Sequence, residues 1–223
     1  MNITRMIVWS LCVATPCAAL ADQASEDNWW LKAGINKIAP QVDSGNLSAP
    51  SLPNTKIDVG SGTSAIFTLG YEFTDHLTAE GFAGLPYKHE IDGDGAIKGV
   101  GKIGELRQVS PTVIFQYRFL ERSAPVRPYA GIGATYGYFY GEKGTNILTS
   151  MTNPGGDPTR LDIDSAWGTS LQLGVAAQIS GGWFLDLSAI KTYIKTTAHL
   201  STGQQITARL DPISTNVSLG YRF

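Results

Sequence analysis

Few side chains in this sequence have the types and spacing that catalysis needs. The three histidines lie at positions 76, 89 and 199, far apart along the chain. A histidine beside a serine or a carboxylate can act as a general base, so His89 with Ser201 or Asp92 is one conceivable pair. No sequence motif surrounds either pair. We therefore expect a protein that is not an enzyme.

Two groups of acidic residues are candidates for binding a divalent cation. They are Glu90, Asp92 and Asp94, and Asp157, Asp162 and Asp164. Carboxylates suit such ions, but acidic residues in loops are commonly only solvated. Residues 99–104 match the G-x-G-x-x-G string of dinucleotide sites, without the preceding buried strand or the following helix. We expect no metal and no cofactor, and a net charge of −2 gives no basic excess for nucleic acid.

Both cysteines, Cys12 and Cys17, lie within the first 21 residues. This segment combines a positive residue, Arg5, with a short apolar core and the small-x-small sequence Ala19-Leu20-Ala21. These features are typical of a secretory signal peptide. We predict a signal peptide over residues 1–21, removed on export, and a single cysteine-free domain over residues 22–223.

The remaining chain alternates apolar and polar residues, as strands with one apolar face do. We predict eight such strands, over residues 30–39, 63–73, 77–88, 108–119, 127–140, 167–179, 183–199 and 204–223. No segment approaches the run of about 18 apolar residues that marks a membrane-spanning helix. A membrane location would therefore require a closed barrel, whose strands need only one apolar face. The mean hydropathy of −0.04 is compatible with such a barrel.

The connections between the predicted strands alternate in length. Residues 74–76, 120–125 and 180–182 form short connections, and residues 40–62, 89–107 and 141–166 form long ones. This asymmetry, with aromatic residues near strand ends, is typical of outer-membrane barrels. We predict an all-β fold, an eight-stranded antiparallel transmembrane β-barrel with short periplasmic turns and longer extracellular loops. A soluble barrel or sandwich would show the same alternation, but would not explain the loop lengths or the terminal Phe223.

The interior of an eight-stranded barrel is only wide enough for side chains or one small ligand. By alternation, seven charged residues point inward: Lys32, Glu72, Glu80, Lys88, Arg118, Asp186 and Arg222. Buried charges need partners, so we expect ion pairs across the interior, with a solvated lumen end as the alternative. Four apolar residues also point inward: Phe82, Ile66, Ile114 and Phe184. They either pack the interior or line a narrow apolar passage, and the pattern leaves both open.

Several short strings occur in the order found in one family of small outer-membrane barrels. They are Leu69-Gly70-Tyr71, Leu85-Pro86-Tyr87-Lys88-His89, Pro111-Thr112, Arg127-Pro128-Tyr129-Ala130-Gly131-Ile132-Gly133, Trp167-Gly168, Gln172-Leu173-Gly174-Val175, Leu210-Asp211-Pro212 and Gly220-Tyr221-Arg222-Phe223. Together they resemble the OmpW family over nearly the whole exported chain. The first and third long connections are longer than in the family pattern.

The resemblance implies a narrow apolar interior that helps small hydrophobic molecules cross the outer membrane. It places Phe82 and Trp167 at the hydrophobic constriction of such barrels. Simple alternation points Trp167 outward, so this role would require a bulge at residues 164–166. The last strand also resembles the C-terminal assembly signal of outer-membrane barrels, with Tyr221 and Phe223 recognised by the barrel assembly machinery.

We therefore expect a monomer in the bacterial outer membrane, in contact with lipid and lipopolysaccharide, that gives passage to small hydrophobic solutes. The alternative is a structural or receptor barrel with a packed interior. Such a barrel would bind phages, bacteriocins or host surfaces through its extracellular loops.

Overall fold

The structure is a computed structural model that describes residues 28–223. The predicted signal peptide lies outside the described residues. These residues form one short helix, α1 (Asn146–Thr152), and fifteen strands: β1 (Trp29–Ala39), β2 (Asp43–Ser44), β3 (Thr55–Val59), β4 (Gly62–Glu72), β5 (Leu77–Gly84), β6 (Tyr87–Gly95), β7 (Lys102–Val109), β8 (Thr112–Arg118), β9 (Val126–Gly144), β10 (Leu161–Ile163), β11 (Ala166–Ser180), β12 (Trp183–Tyr193), β13 (Lys195–Leu200), β14 (Gln205–Arg209) and β15 (Ile213–Arg222).

Eight of the strands close into an antiparallel barrel. Around its wall the order is β1, β4, β5, β8, β9, β11, β12 and β15. The barrel closes where β15 pairs with β1, from Trp30 opposite Arg222 to Ala39 opposite Ile213. The predicted eight-stranded antiparallel barrel is confirmed. Both ends of the described segment, Asn28 and Phe223, lie at one end of it, here called the terminal end, and the opposite end is called the far end.

The outer face of the barrel is apolar along its length. Large side chains point outward and are exposed, among them Leu31, Phe67, Phe115, Ile132 and Leu173. Aromatic pairs border this band, Trp29 with Tyr71 and Trp183 with Tyr221 at the terminal end, and Tyr136 with Trp167 at the far end. A continuous exposed apolar band between two aromatic borders is the surface that lipid requires. Among residues 28–223, no helix has the length and apolar character to cross a membrane.

The long connections at the far end are folded rather than irregular, which differs from the prediction. Strands β3, β6 and β7 pair with one another and with the last part of β9. Strands β10, β13, β14 and β2 form a second sheet. Between these two far-end sheets lies an apolar core: Ile91, Ile97, Ile103, Leu106, Phe139, Leu148, Ile163, Ile194, Ala198, Leu200, Ile206, Ala208 and Leu210. The connections fold because their alternating apolar residues can be buried only against each other.

Short interruptions separate the far-end sheets from the barrel on every wall strand except β9. Four of them, at residues 85–86, 110–111, 194 and 210–212, fall within the predicted strands 77–88, 108–119, 183–199 and 204–223, so that each of these becomes two strands. Proline occurs at three of these interruptions, where its missing N–H would break a ladder. Strand β9 is different, since its 19 residues continue from the barrel into the far-end sheet without a break.

Candidate functional site

At the terminal end of the barrel interior, one carboxylate lies among four guanidinium groups. Glu72 Oε1 lies 2.9 Å from Arg127 Nη1, 3.1 Å from Arg222 Nη2 and 3.8 Å from Arg118 Nε, and Glu72 Oε2 lies 3.0 Å from Arg122 Nε. The Glu72 side chain is fully buried. This cluster, here called the arginine cluster, fills the terminal end of the lumen with four positive charges, all within 4.0 Å of one carboxylate.

A second set of charges crosses the interior one layer further in. Lys32 Nζ lies 2.6 Å from Glu80 Oε1 and 3.0 Å from Asp186 Oδ1. The Tyr129 hydroxyl donates to Asp186 at 3.0 Å, and Gln116 donates to Glu80. Ion pairs across the interior are confirmed for all the charged residues that were predicted to point inward except Lys88. Together with the arginine cluster they form a polar plug that fills the barrel.

Hydroxyl and amide groups lie above the plug. Thr112, Thr135, Ser170 and Thr192 form a chain of hydrogen bonds of 2.8, 2.6 and 2.8 Å across four strands. The three threonines border a small cavity of about 50 Å³, here called the lower cavity, which Ile66, Phe82 and Ile190 also line. The lower cavity therefore has a polar floor and partly apolar walls.

The far-end sheets enclose an apolar cavity of about 70 Å³, here called the apolar chamber. Its lining includes Ile91, Leu106, Phe139, Ile206 and Ala208. Because its walls are almost entirely aliphatic or aromatic, the chamber suits an apolar molecule and offers little to a charged one.

His89 is a polar residue in the chamber wall. Its Nδ1 lies 2.7 Å from the Gly60 carbonyl oxygen, which can only accept, so Nδ1 carries the proton. Burial lowers the pKa of His89 below its ordinary value, with the hydrogen bonds opposing the shift. His89 is therefore neutral near neutral pH and preserves the uncharged character of the chamber.

The barrel wall has a gap in its backbone ladder beside the lower cavity. Strand β5 pairs with β8 as far as Phe82 opposite Thr112, and pairing resumes only with Tyr87 opposite Gln108. Within the described part of the chain, no backbone pair joins residues 83–86 to residues 109–111. Ala83, Gly84 and Ser110, from both sides of this ladder gap, line the lower cavity. Pro86 and Pro111 flank the gap, and their missing N–H groups reduce the cost of leaving it unpaired.

The predicted interior residues lie in different layers. Phe82 and Ile66 line the lower cavity beside the ladder gap. Ile114 is buried against the β9 backbone, where Gly131 and Gly133 leave room for it. Phe184 lies deeper still and packs edge-on against Trp30 with ring centroids 6.0 Å apart. The structure thus brings only Phe82 and Ile66 together.

The predicted place of Trp167 in an interior constriction is wrong. Its side chain is 72% exposed on the outer face, and its ring lies 4.9 Å from that of Tyr136. The reason is that β11 pairs with β9 in regular register here, from Ala166 opposite Gly137 to Gly168 opposite Thr135, without the bulge that would turn Trp167 inward. Trp167 belongs to the aromatic border.

The predicted inward position of Lys88 is also wrong. Lys88 is exposed on the outer face of β6, whereas Tyr87 and His89 point inward. The interruption at residues 85–86 shifts the alternation by one residue, so the parity that holds for Phe82 does not continue.

The candidate catalytic groups do not come together. His89 is buried, while Asp92 points outward from the same strand. The Ser201 hydroxyl accepts a hydrogen bond from the Arg160 backbone N–H at 3.0 Å. Among residues 28–223, no group of three or more histidines and carboxylates is placed to hold a metal ion.

Sequence reasoning missed the apolar chamber and the ladder gap. Part of the chamber wall, including Ile91, Ile103 and Leu106, lies in segments that glycine and charged residues marked as loops. Phe139, Ile206 and Ala208 lie in predicted strands, but the sequence did not show that they meet these residues. The two prolines at positions 86 and 111 were a signal for an interrupted ladder. Of the predicted assembly-signal residues, Tyr221 points outward beside Trp183, and the Phe223 N–H donates to the Trp29 carbonyl at 2.9 Å.

Comparisons with known proteins agree with this architecture. The sequence model of the protein family described as "OmpW family" matches residues 25–223 of this chain. The chain is 31% identical to Outer membrane protein W of Vibrio cholerae, over 96% of this chain and 99% of that one. It is 27% identical to the Dibenzothiophene metabolism operon protein PahQ of Pseudomonas aeruginosa, over 98% of this chain and 100% of that one. The crystal structure of the outer membrane protein OprG from Pseudomonas aeruginosa superposes with a TM-score of 0.78 at 22% identity. The superposition covers 88% of this chain and 95% of OprG.

Proposed function

Because the chain belongs to the OmpW family and is a barrel of the bacterial outer membrane, we propose that it gives small hydrophobic molecules a passive route into that membrane. Outer-membrane barrels have short periplasmic turns and longer extracellular loops, so the far end is extracellular and the terminal end is periplasmic. The solute enters the apolar chamber, moves to the lower cavity and leaves sideways through the ladder gap.

The observation that carries this proposal is the order of the layers. An apolar chamber lies above a charged plug, and the barrel wall beside the lower cavity is interrupted at the ladder gap. Transfer of an apolar solute from water to the chamber is favoured by about 25 cal/mol for each Å² removed from water. A solute in the chamber has no favourable way through the plug, because it would have to separate buried ion pairs.

A sideways exit also needs no sustained opening of the barrel. Residues 83–86 are already unpaired with residues 109–111, so parting the wall between these two segments breaks no strand-to-strand hydrogen bond. The lipid outside is an apolar environment comparable to the chamber, and it takes up the solute without returning it to water.

The name of one relative is consistent with an apolar solute. PahQ is named for an operon of dibenzothiophene metabolism. Dibenzothiophene is an uncharged aromatic compound of the class that the chamber lining favours.

Uptake measurements on cells that make the protein, with dibenzothiophene as the solute, test the route. Ala83→Trp places a bulky ring at the ladder gap, and Ala208→Phe fills the chamber; both should reduce uptake to the level of cells without the protein. The matched controls Ala79→Trp and Ala189→Phe add the same rings on the outer face of β5 and β12, and should leave uptake unchanged.

Equal uptake with and without the protein would refute the proposal and favour a receptor or structural role. Loss of uptake with Ala208→Phe but not with Ala83→Trp would support entry through the apolar chamber and reject the sideways exit.

A further inference from the structure

We propose that Lys88, Arg107 and Lys143 bind the phosphate of a phosphorylated lipid headgroup in the outer leaflet of the outer membrane. These three residues, here called the cation triad, lie on the outer face of the β6–β7–β9 sheet. The site lies outside the barrel and does not depend on the proposed passage.

The triad places like charges side by side. Lys88 lies directly opposite Arg107 in the β6–β7 pair, and like charges in that position destabilise a sheet. Among residues 28–223, no carboxylate oxygen lies within 4.0 Å of a charged nitrogen of the triad, so this repulsion has no internal partner. An anion bound between the two strands would relieve it.

The carboxylates nearest the triad are engaged elsewhere. Glu90 and Glu105 lie opposite each other two residues further from the barrel, and Glu105 also lies opposite Lys143. Their oxygens lie 3.0 and 2.7 Å from Lys102 Nζ. The hydrogen bond and charge of Lys102 lower the pKa of Glu105, and Lys143 and Lys88 add smaller contributions in the same direction. Positive potential therefore extends over this face despite the two glutamates.

The height of the triad matches that of lipid headgroups. Arg107 lies opposite Tyr140, and Val109, two residues nearer the barrel, lies opposite Tyr138. The Tyr138 and Tyr140 rings stack 5.6 Å apart at the upper border of the apolar band. Two residues of strand span roughly 7 Å, so Lys88 and Arg107 lie level with Tyr140 and two residues above Tyr138. This is the height of the aromatic border, where headgroup phosphates occur.

The surface between the three cations is concave. A register shift between β7 and β9, beside Glu105 and Arg107, accompanies a depression of about 450 Å³. All three triad residues line it, together with Glu90 and Glu105, which pair with Lys102. Gly141 at this shift has a φ of 65°, and a Cβ there would meet no atom within 4 Å. An arginine with two flanking lysines around such a depression is a suitable recognition set for a phosphate, because the guanidinium can donate two parallel hydrogen bonds.

A second pair of cations provides a matched control. Lys195 lies opposite Arg209, two residues beyond the outward Tyr193, but Arg209 also lies opposite Asp43. This pair has the same charge and a comparable height, with a carboxylate beside it. It should contribute general attraction to anionic lipid without a specific site.

The test uses the purified full-length exported chain in neutral detergent micelles, titrated with lipid A, with lipid A lacking its phosphates, or with inorganic phosphate. The midpoint of heat unfolding, followed by gel mobility, reports binding, because a ligand of the folded state raises that midpoint. Lipid A should raise the midpoint saturably, and the other two probes should not. Lys88→Gln with Arg107→Gln should weaken the apparent affinity roughly tenfold or more.

Lys195→Gln with Arg209→Gln should leave the affinity within about twofold. Equal weakening by both double variants would overturn the proposal in favour of a general basic belt, as would an equal response to the lipid lacking phosphates. A response to inorganic phosphate equal to that to lipid A would mean a free oxyanion site and would also overturn it. If the first double variant fails to fold, Lys143→Gln alone should still weaken the response to lipid A.

Discussion

Replacing Glu72 with glutamine tests how the barrel interior is held together. This carboxylate is the only negative group within 4.0 Å of the four guanidinium groups among the described residues. Glutamine keeps the shape and one acceptor oxygen, but it removes the charge and turns an N–H₂ donor toward other donors. The variant therefore leaves four mutually repelling cations in a largely buried space.

The expected cost follows from the burial of these partners. Removing one member of a buried ion pair typically costs about 3–5 kcal/mol, because the other charge stays desolvated and unpaired. Arg118 and Arg127 are almost completely buried, whereas Arg122 and Arg222 retain some contact with solvent. We therefore attribute most of the cost to the two buried arginines and expect a loss of about 3–5 kcal/mol in the free energy of unfolding.

Urea unfolding in lipid vesicles, followed by tryptophan fluorescence, measures this loss. Trp30 lies near the cluster, with its ring 5.8 Å from the Arg118 guanidinium carbon, and reports the change locally. Glu105→Gln is the matched control, since it removes a solvent-exposed carboxylate from a lysine pair. It should change stability little, because exposed ion pairs contribute little.

A second substitution separates charge from shape. In the Glu72→Gln background, Arg127→Gln removes one of the unpaired buried cations and should restore part of the lost stability. If Glu72→Gln is as stable as the unchanged protein to within about 1 kcal/mol, or if Arg127→Gln destabilises it further by the full single-variant cost, the electrostatic reasoning is refuted.

Three further outcomes are expected. The lowered pKa of His89 means that the unfolded chain binds more protons below its ordinary pKa of 6.5, so the far-end sheets should be fully stable above that pH and lose stability as pH falls. Hydrogen exchange of β6 amides should show this loss, and His89→Gln should abolish it. Gly70→Ala should cost about 1–3 kcal/mol in urea unfolding, because its Cβ would lie 1.9 Å from the buried Trp30 ring; an unaffected variant would contradict this packing. Thr135→Val should cost about 1–3 kcal/mol, since it leaves two buried hydroxyls without their shared partner; a neutral result would mean that water replaces the lost hydroxyl.

The barrel could be predicted because lipid imposes a strict pattern on its outer face. Leu219, Val217 and Phe67 had to point outward, and strand alternation then assigned Lys32 and Asp186 to the interior. The same reasoning failed where the pattern was interrupted. Parity could not continue past Pro86, so Lys88 was assigned to the wrong face, and a resemblance was not enough to turn Trp167 inward.

The apolar chamber was beyond prediction for a different reason. Its walls come from segments distant in sequence, such as Ile91, Phe139 and Ile206, and the pattern within one segment does not show that these residues meet in one chamber. The ladder gap likewise depends on which residues face each other across two strands. Register between strands is a tertiary property that a single sequence does not display.

The interruptions between the barrel and the far-end sheets also bear on how the sequence can change. Inserting one residue into a continuous strand moves every side chain beyond it to the opposite face. At residues 85–86, 110–111, 194 and 210–212 the ladder is already broken, so an insertion there can be absorbed without turning charged residues toward lipid. Strand β9 has no such break. Length changes in the extracellular half are therefore tolerated on the strands that have such an interruption, while β9 fixes the register of both halves.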